Sequence, residues 1–129
     1  MKILVCDPIS SRGIALLQQR PEFEVVVLPK RLSEPELVPL LKDVVAMVVR
    51  SETRVTKGVI EAAPALRVVG RAGVGVDNVD VEAATQRGVV VMNTPGGNTV
   101  STAQLTMALL TALARHIPAS NNSIKQACI

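Results

Sequence analysis

Residues 44–49 read Val-Val-Ala-Met-Val-Val, apolar on both alternating faces. A strand of that kind must be covered above and below, which is the environment of a parallel sheet between helical layers. Four further short runs share its character: Lys2 to Cys6, Phe23 to Leu28, Leu66 to Gly70 and Val89 to Met92. Helix-like segments separate them. Ser10 or Ser11 opens one that carries Ile14, Leu16 and Leu17 and ends near Pro21. Ser33 opens another, with Glu34-Pro35-Glu36 in its first turn, where acids and proline are favoured. Thr56 to Ala63 and Val81 to Arg87 supply two more, the latter closed by Gly88. Strict strand–helix alternation predicts an α/β fold: a doubly wound, flavodoxin-like, five-stranded parallel sheet of order 2-1-3-4-5 in three layers.

Open α/β sheets bind ligands at the carboxyl ends of their strands. Those ends are expected at Asp7-Pro8, Arg50-Ser51, Arg71-Ala72-Gly73 and Asn93-Thr94-Pro95, where the polar residues and glycines gather. Arg50 with Ser51 offers a guanidinium and a hydroxyl for a carboxylate or phosphate, or else simply closes a strand at the surface. A second arginine, Arg71, at the neighbouring strand end favours a shared anion site. Gly70, Gly73 and Gly75 read G-x-x-G-x-G, which differs from the dinucleotide fingerprint G-x-G-x-x-G. They serve either close ligand approach or a tight turn. Asp80 is expected to cap the following helix, and Asp77 and Asn78 to stabilise the turn.

Asn93 to Thr99 leads into the longest helix, Ser101 through Arg115. Ser101 with Gln104 forms a capping-box pattern, and free amides at that helix start can hold an anion or merely begin a helix. Leu105, Met107, Leu109, Leu110 and Leu113 surround most of the helix. A helix apolar all round is buried on several sides. One sheet face cannot cover it, so a second subunit or a further domain is expected against it. The organisation expected is a lobe over residues 1–98, a bridging and dimerising helix over 99–117, and a linker or frayed tail over 118–129.

Composition narrows the function. Of 129 residues, 48% are hydrophobic, yet Phe23 is the sole aromatic. Base-stacking platforms are therefore missing, and the basic residues behind the net charge of +3 are scattered, so no nucleic-acid partner is expected. No apolar run reaches membrane-spanning length. Lys2 is followed by a strand-length run ending at Asp7, so no secretory leader is expected and the location expected is cytoplasmic. Cys6 sits in a buried strand and Cys128 near the end, a pattern of neither a disulfide scaffold nor a metal site. A phosphate-accepting receiver domain is set aside because Arg50 ends the third strand, where its aspartate would stand. A flavin site is set aside for want of Trp and Tyr.

Three segments carry a resemblance. They are V-V-R-S (48–51), L-R-V-V-G-R-A-G-V-G-V-D-N-V-D (66–80) and G-V-V-V-M-N-T-P-G-G-N (88–98). They are similar to the NAD-dependent D-2-hydroxyacid dehydrogenases, in the D-3-phosphoglycerate dehydrogenase branch, from residue 1 to about residue 118. The resemblance implies that Arg50 and Ser51 lie at a substrate pocket. It implies that Arg71, Ala72 and Gly73 contact the substrate carboxylate through backbone amides and the arginine. Val74 would touch the nicotinamide side of NAD, and Asn98 would line the same cleft. The helix over 101–115 would bridge to an NAD domain and pack at a homodimer interface. The parent reaction would be oxidation of 3-phosphoglycerate in serine biosynthesis.

The departures matter equally. The family's G-x-G-x-x-G and its catalytic arginine, glutamate and histidine are absent from these residues, and His116 matches none of them. Gln104 stands where relatives usually carry Glu, and Asn121 to Ile129 leaves the usual pattern. The expectation is a substrate-binding lobe that takes a small anionic 2-hydroxy or 2-oxo acid, holds no tightly bound cofactor and is inactive alone. The alternative is a stand-alone dimerising or small-acid-binding regulatory module.

Overall fold

The computed structural model describes residues 1–127, so Cys128 lies outside the described residues. The chain divides into two compact units, Met1–Pro95 and Gly96–Ile129.

The first unit alternates strands β1 (Lys2–Val5), β2 (Glu24–Val27), β3 (Val44–Val49), β4 (Val68–Arg71) and β5 (Val90–Asn93) with helices. The helices are α1 (Ser11–Gln18), α2 (Glu34–Leu37), α3 (Lys57–Glu61) and α4 (Val81–Gln86), with a 3₁₀ turn over Val38–Leu40. All strand pairs are parallel and the order is β2-β1-β3-β4-β5, as the alternation requires. The chain steps one way from β1 to β2 and the opposite way from β2 through β5. Right-handed crossovers therefore send α1 to one face and α2, α3 and α4 to the other.

The second of these faces holds the core. Leu4, Met47, Val49 and Val69 from the strands meet Leu37, Leu41, Val59, Ile60 and Ala84, all at most 1% exposed. Side chains alternate along β1, so Ile3 and Val5 are buried towards the α1 side. That face opens towards the β5 edge, where Val90 and Met92 are 55% and 58% exposed.

Helix ends follow their side chains. The Ser33 amide donates to Glu36 Oε2 at 2.8 Å, Thr56 Oγ1 accepts from the Val59 amide at 3.2 Å, and Asp80 Oδ1 accepts from the Ala83 amide at 2.9 Å. Gly88 takes φ +67° directly after α4, the left-handed turn that ends a helix with least strain.

Strand bounds shift from the sequence expectation in one way that matters for the site. β4 runs through Gly70 to Arg71, because Arg71 pairs in register with Val49 and Asn93. Arg71 is thus the last residue of a strand rather than the first of a loop.

The second unit holds α5 (Thr99–Ala114) and α6 (Ile117–Ala127). Two expectations need correction here. The helix starts at Thr99 with Asn98 in the capping position, so Ser101 is already inside it. The Ser101 hydroxyl donates to the Asn98 carbonyl at 3.0 Å, and no Ser101–Gln104 capping box forms. Residues expected as a linker or frayed tail form α6 as far as Ala127. His116, at φ +51°, breaks α5 from α6, and Pro118 falls in the first turn of the new helix, where a missing amide is harmless. Leu105, Leu109 and Leu113 of α5 are 61%, 61% and 75% exposed, and no residue of α5 is buried.

Candidate functional site

The carboxyl edge of the sheet in the first unit brings together the ends of β1, β3, β4 and β5. Arg50 follows β3 and Arg71 ends β4, on hydrogen-bonded neighbouring strands. Their guanidinium groups settle differently. Arg50 Nη1 donates to the Pro8 carbonyl at 3.3 Å. The Arg71 guanidinium lies over Gly73, and its Nε is buried without a hydrogen-bond partner. A Cβ at residue 73 would meet Arg71 Nη1 and stand 2.6 Å from Arg71 Cζ. Gly73 therefore makes room for the arginine, a close approach that only glycine permits.

The three glycines of the turn are unequal. None has a positive φ. At residue 75 a Cβ would stand 2.8 Å from Asp77 Oδ1, whereas at residue 70 its nearest contact is Met47 O at 3.9 Å. Gly70 instead lines a hollow of about 260 Å³ together with Val48, Arg71, Ala72, Met92, Asn93 and Thr94.

The turn after Arg71 is fixed from both neighbouring strands. The Ala72 amide donates to the Val49 carbonyl at 2.8 Å, and the Thr94 amide donates to the Gly73 carbonyl at 2.9 Å. Asn93 Nδ2 donates to the Val74 carbonyl at 2.7 Å. The Gly73 amide donates back to the Arg71 carbonyl at 2.8 Å. The amides of Ala72 and Gly73, expected to face a ligand, are thus already engaged within the chain. Those of Val74 and Gly75 donate to no backbone carbonyl among the described residues. Val74 is 40% exposed.

The sequence places Asp7 at a strand end and Asn78 in a turn, but it does not reveal that they fix the neighbouring loop together with Thr53. Asp7 is 2% exposed and Thr53 is 3% exposed. Asp7 Oδ2 accepts from the amides of Arg50 at 2.6 Å and Thr53 at 3.1 Å, while Oδ1 accepts from Thr53 Oγ1 at 2.6 Å. Asn78 was expected to brace its own turn, but its amide reaches across to another loop. Its Nδ2 donates to the carbonyls of Arg50 and Thr53, both at 2.7 Å. Asp80 caps α4 as expected. Ser51 is exposed beside Arg50. Asn98 belongs to the second unit, at the start of α5.

Residues 3–128 match the family model described as D-isomer specific 2-hydroxyacid dehydrogenase, catalytic domain. The chain belongs to this family. It is 48% identical over 126 residues to a D-3-phosphoglycerate dehydrogenase of Methanocaldococcus jannaschii, covering 98% of this chain and 24% of the relative. It is 56% identical over 124 residues to the D-3-phosphoglycerate dehydrogenase of Rattus norvegicus, covering 96% and 23%. It thus spans about a quarter of the length of these curated relatives. An NAD⁺-bound 3-phosphoglycerate dehydrogenase structure from Entamoeba histolytica aligns with TM-score 0.74 at 32% identity, over 87% of this chain and 38% of that one.

The residues of the first unit do not fit the phosphates of such a dinucleotide. A pyrophosphate seat needs free amides at a helix start behind a G-x-G-x-x-G turn. Here the glycine turn leads to α4, and the Asp80 carboxylate already occupies that helix start. No helix among the described residues is long and apolar enough to cross a membrane.

Proposed function

We propose that this chain is the substrate-binding lobe of a D-3-phosphoglycerate dehydrogenase-like enzyme, taking up a small anionic 2-hydroxy or 2-oxo acid. The observation that carries the reading is the pair of arginines at adjacent strand ends, beside amides of Val74 and Gly75 that donate to no backbone carbonyl among the described residues. Arg50, Ser51 and Arg71 supply the charge and donors for the acid. Gly73 keeps the Arg71 guanidinium against the turn, and Ala72 tethers that turn to β3. Guanidinium forks suit a carboxylate or phosphate because they donate two parallel bonds in a fixed plane. Val74 would face the nicotinamide side of a bound NAD. The chain's own part is to bind and orient the acid, and alone it turns nothing over. The parent role is serine biosynthesis in the cytoplasm.

Titration calorimetry of the chain with 3-phosphoglycerate and with 2-oxoglutarate tests this. Saturable binding that Arg50→Ala or Arg71→Ala abolishes supports the reading. Binding indifferent to both substitutions, or turnover of 3-phosphoglycerate with NAD by the chain alone, refutes it.

The second reading is a dimerising module, favoured by the exposed leucines of α5. Both readings share a homodimer through residues 101–115. Burying a leucine fully is worth about 1.5–3 kcal/mol, so each of these side chains still has roughly 1–2 kcal/mol to gain from a partner. Sedimentation equilibrium decides the point: a dimer that Leu109→Lys dissociates is expected, and a monomer at all concentrations refutes it.

A further inference from the structure

We infer that Asp7 and Asn78 are a pair of positioning residues that set the Arg50 loop for binding; the inference rests on the small-acid reading of the site. The loop over residues 50–53 carries Arg50 and Ser51 at its start and has no regular secondary structure to hold it. It is gripped at two residues, each from two directions. Asp7, from the end of β1, takes the amides of both Arg50 and Thr53. Asn78, from the turn after β4, donates to the carbonyls of the same two residues. One acceptor and one donor thus fix a loop whose own backbone groups would otherwise need water.

The arrangement does more than stiffen a loop. Asn78 belongs to the segment that follows Arg71, so its amide ties the second arginine's segment to the first arginine's backbone. The spacing of the two guanidinium anchors is therefore set by a side chain that need not touch the ligand. Asn78 is suited to this by chemistry. Its two amide hydrogens meet two carbonyls, which fixes the orientation of the side chain and leaves Oδ1 buried without a partner. Asp7 is acceptor-only when ionised, so it can take three donors at once. The Pro8 carbonyl next to it receives Arg50 Nη1, so one two-residue segment holds both the backbone and the guanidinium of Arg50. Positioning of this kind is what converts loosely tethered charges into an affinity, because less order has to be imposed when the ligand arrives.

The test separates positioning from mere stability. Asn78→Ala, Thr53→Val and Thr53→Ser are compared with wild type in the full chain, at a temperature where circular dichroism shows each variant folded. The Kd for 3-phosphoglycerate is expected to rise about tenfold in Asn78→Ala and in Thr53→Val, and to stay within about twofold in Thr53→Ser, which restores the hydroxyl. A lowered Tm with an unchanged Kd overturns the inference. If wild type itself shows no saturable binding, the small-acid reading fails, and amide hydrogen exchange then judges the clamp by itself. Faster exchange at Arg50 and Thr53 in Asn78→Ala, with β3 still protected, supports the clamp, and unchanged exchange at both overturns it.

Discussion

Replacing Asp7 separates hydrogen-bond geometry from charge. The Asp7 side chain is buried and accepts from two amides and one hydroxyl. In Asp7→Asn the carbonyl oxygen takes the Oδ2 position and still accepts both amides. The new NH₂ faces Thr53 Oγ1, a hydroxyl that can rotate and accept instead of donating. All three contacts survive, weaker because a neutral acceptor replaces a charged one, while the burden of a buried charge disappears. The net loss expected is about 1 kcal/mol. Asp7→Ala leaves a half-buried amide, a buried amide and a buried hydroxyl facing nothing, at about 1–3 kcal/mol for each buried group. With part of that recovered by water or relaxation, about 3–5 kcal/mol is expected, against a total stability on the order of 5–15 kcal/mol. At roughly 3–5 °C per kcal/mol for this length, thermal melts at pH 7 should show falls of about 3–5 °C and about 10–25 °C respectively. An Asn variant as unstable as the Ala variant would refute the geometric account and assign the effect to the carboxylate charge. An Ala variant within about 1 kcal/mol of wild type would refute the account altogether.

Other expectations are equally direct. Gly73→Ala should drive the Arg71 guanidinium off the turn and weaken 3-phosphoglycerate binding about tenfold, read by calorimetry, whereas Gly70→Ala should be tolerated by the fold because its Cβ meets only Met47 O at 3.9 Å. Burial first, and then the neighbouring Asp7 charge, push the Cys6 thiol up to about 12, so Cys6 should resist alkylation at pH 8 in the native state and react on unfolding, as peptide mapping would record. Bonds from the Ser33 hydroxyl and amide hold the Glu36 carboxyl below its ordinary value. Its contribution to stability is therefore present above the ordinary glutamate range and is lost as pH falls through the lowered value. An NMR titration should find that depression gone in Ser33→Ala if the hydroxyl is its chief source.

The sheet was legible because its signal is local. Val44 to Val49 cannot sit at a surface, and alternation with capped helices leaves few topologies for five such strands. Arg50 and Arg71 were legible for the same reason, since a charge that follows a buried strand must lie at its end. The clamp was not. Asp7, Thr53 and Asn78 lie on three separate segments, and each has an ordinary local explanation as a strand end, a loop residue or a turn residue. Only the parallel register that sets β1, β3 and β4 side by side gives them a common purpose. The separate parts played by the glycines were hidden for a related reason. Spacing made Gly70, Gly73 and Gly75 alike, but what a Cβ would strike depends on where Arg71 and Asp77 fold. The capping box at Ser101 failed because Thr99 and Val100 already take helical geometry, which the motif does not forbid.

One small feature bears on how this surface moves. Val55 and Val79 form an isolated parallel bridge: the Val55 amide donates to the Asn78 carbonyl at 2.8 Å, and the Asp80 amide donates to the Val55 carbonyl at 2.9 Å. Residues that follow β3 and residues that follow β4 are stitched there beyond the end of the sheet proper. Neither segment can swing without tearing the other's backbone bonds. A ligand of the kind proposed would therefore meet an anvil rather than a flap at this edge.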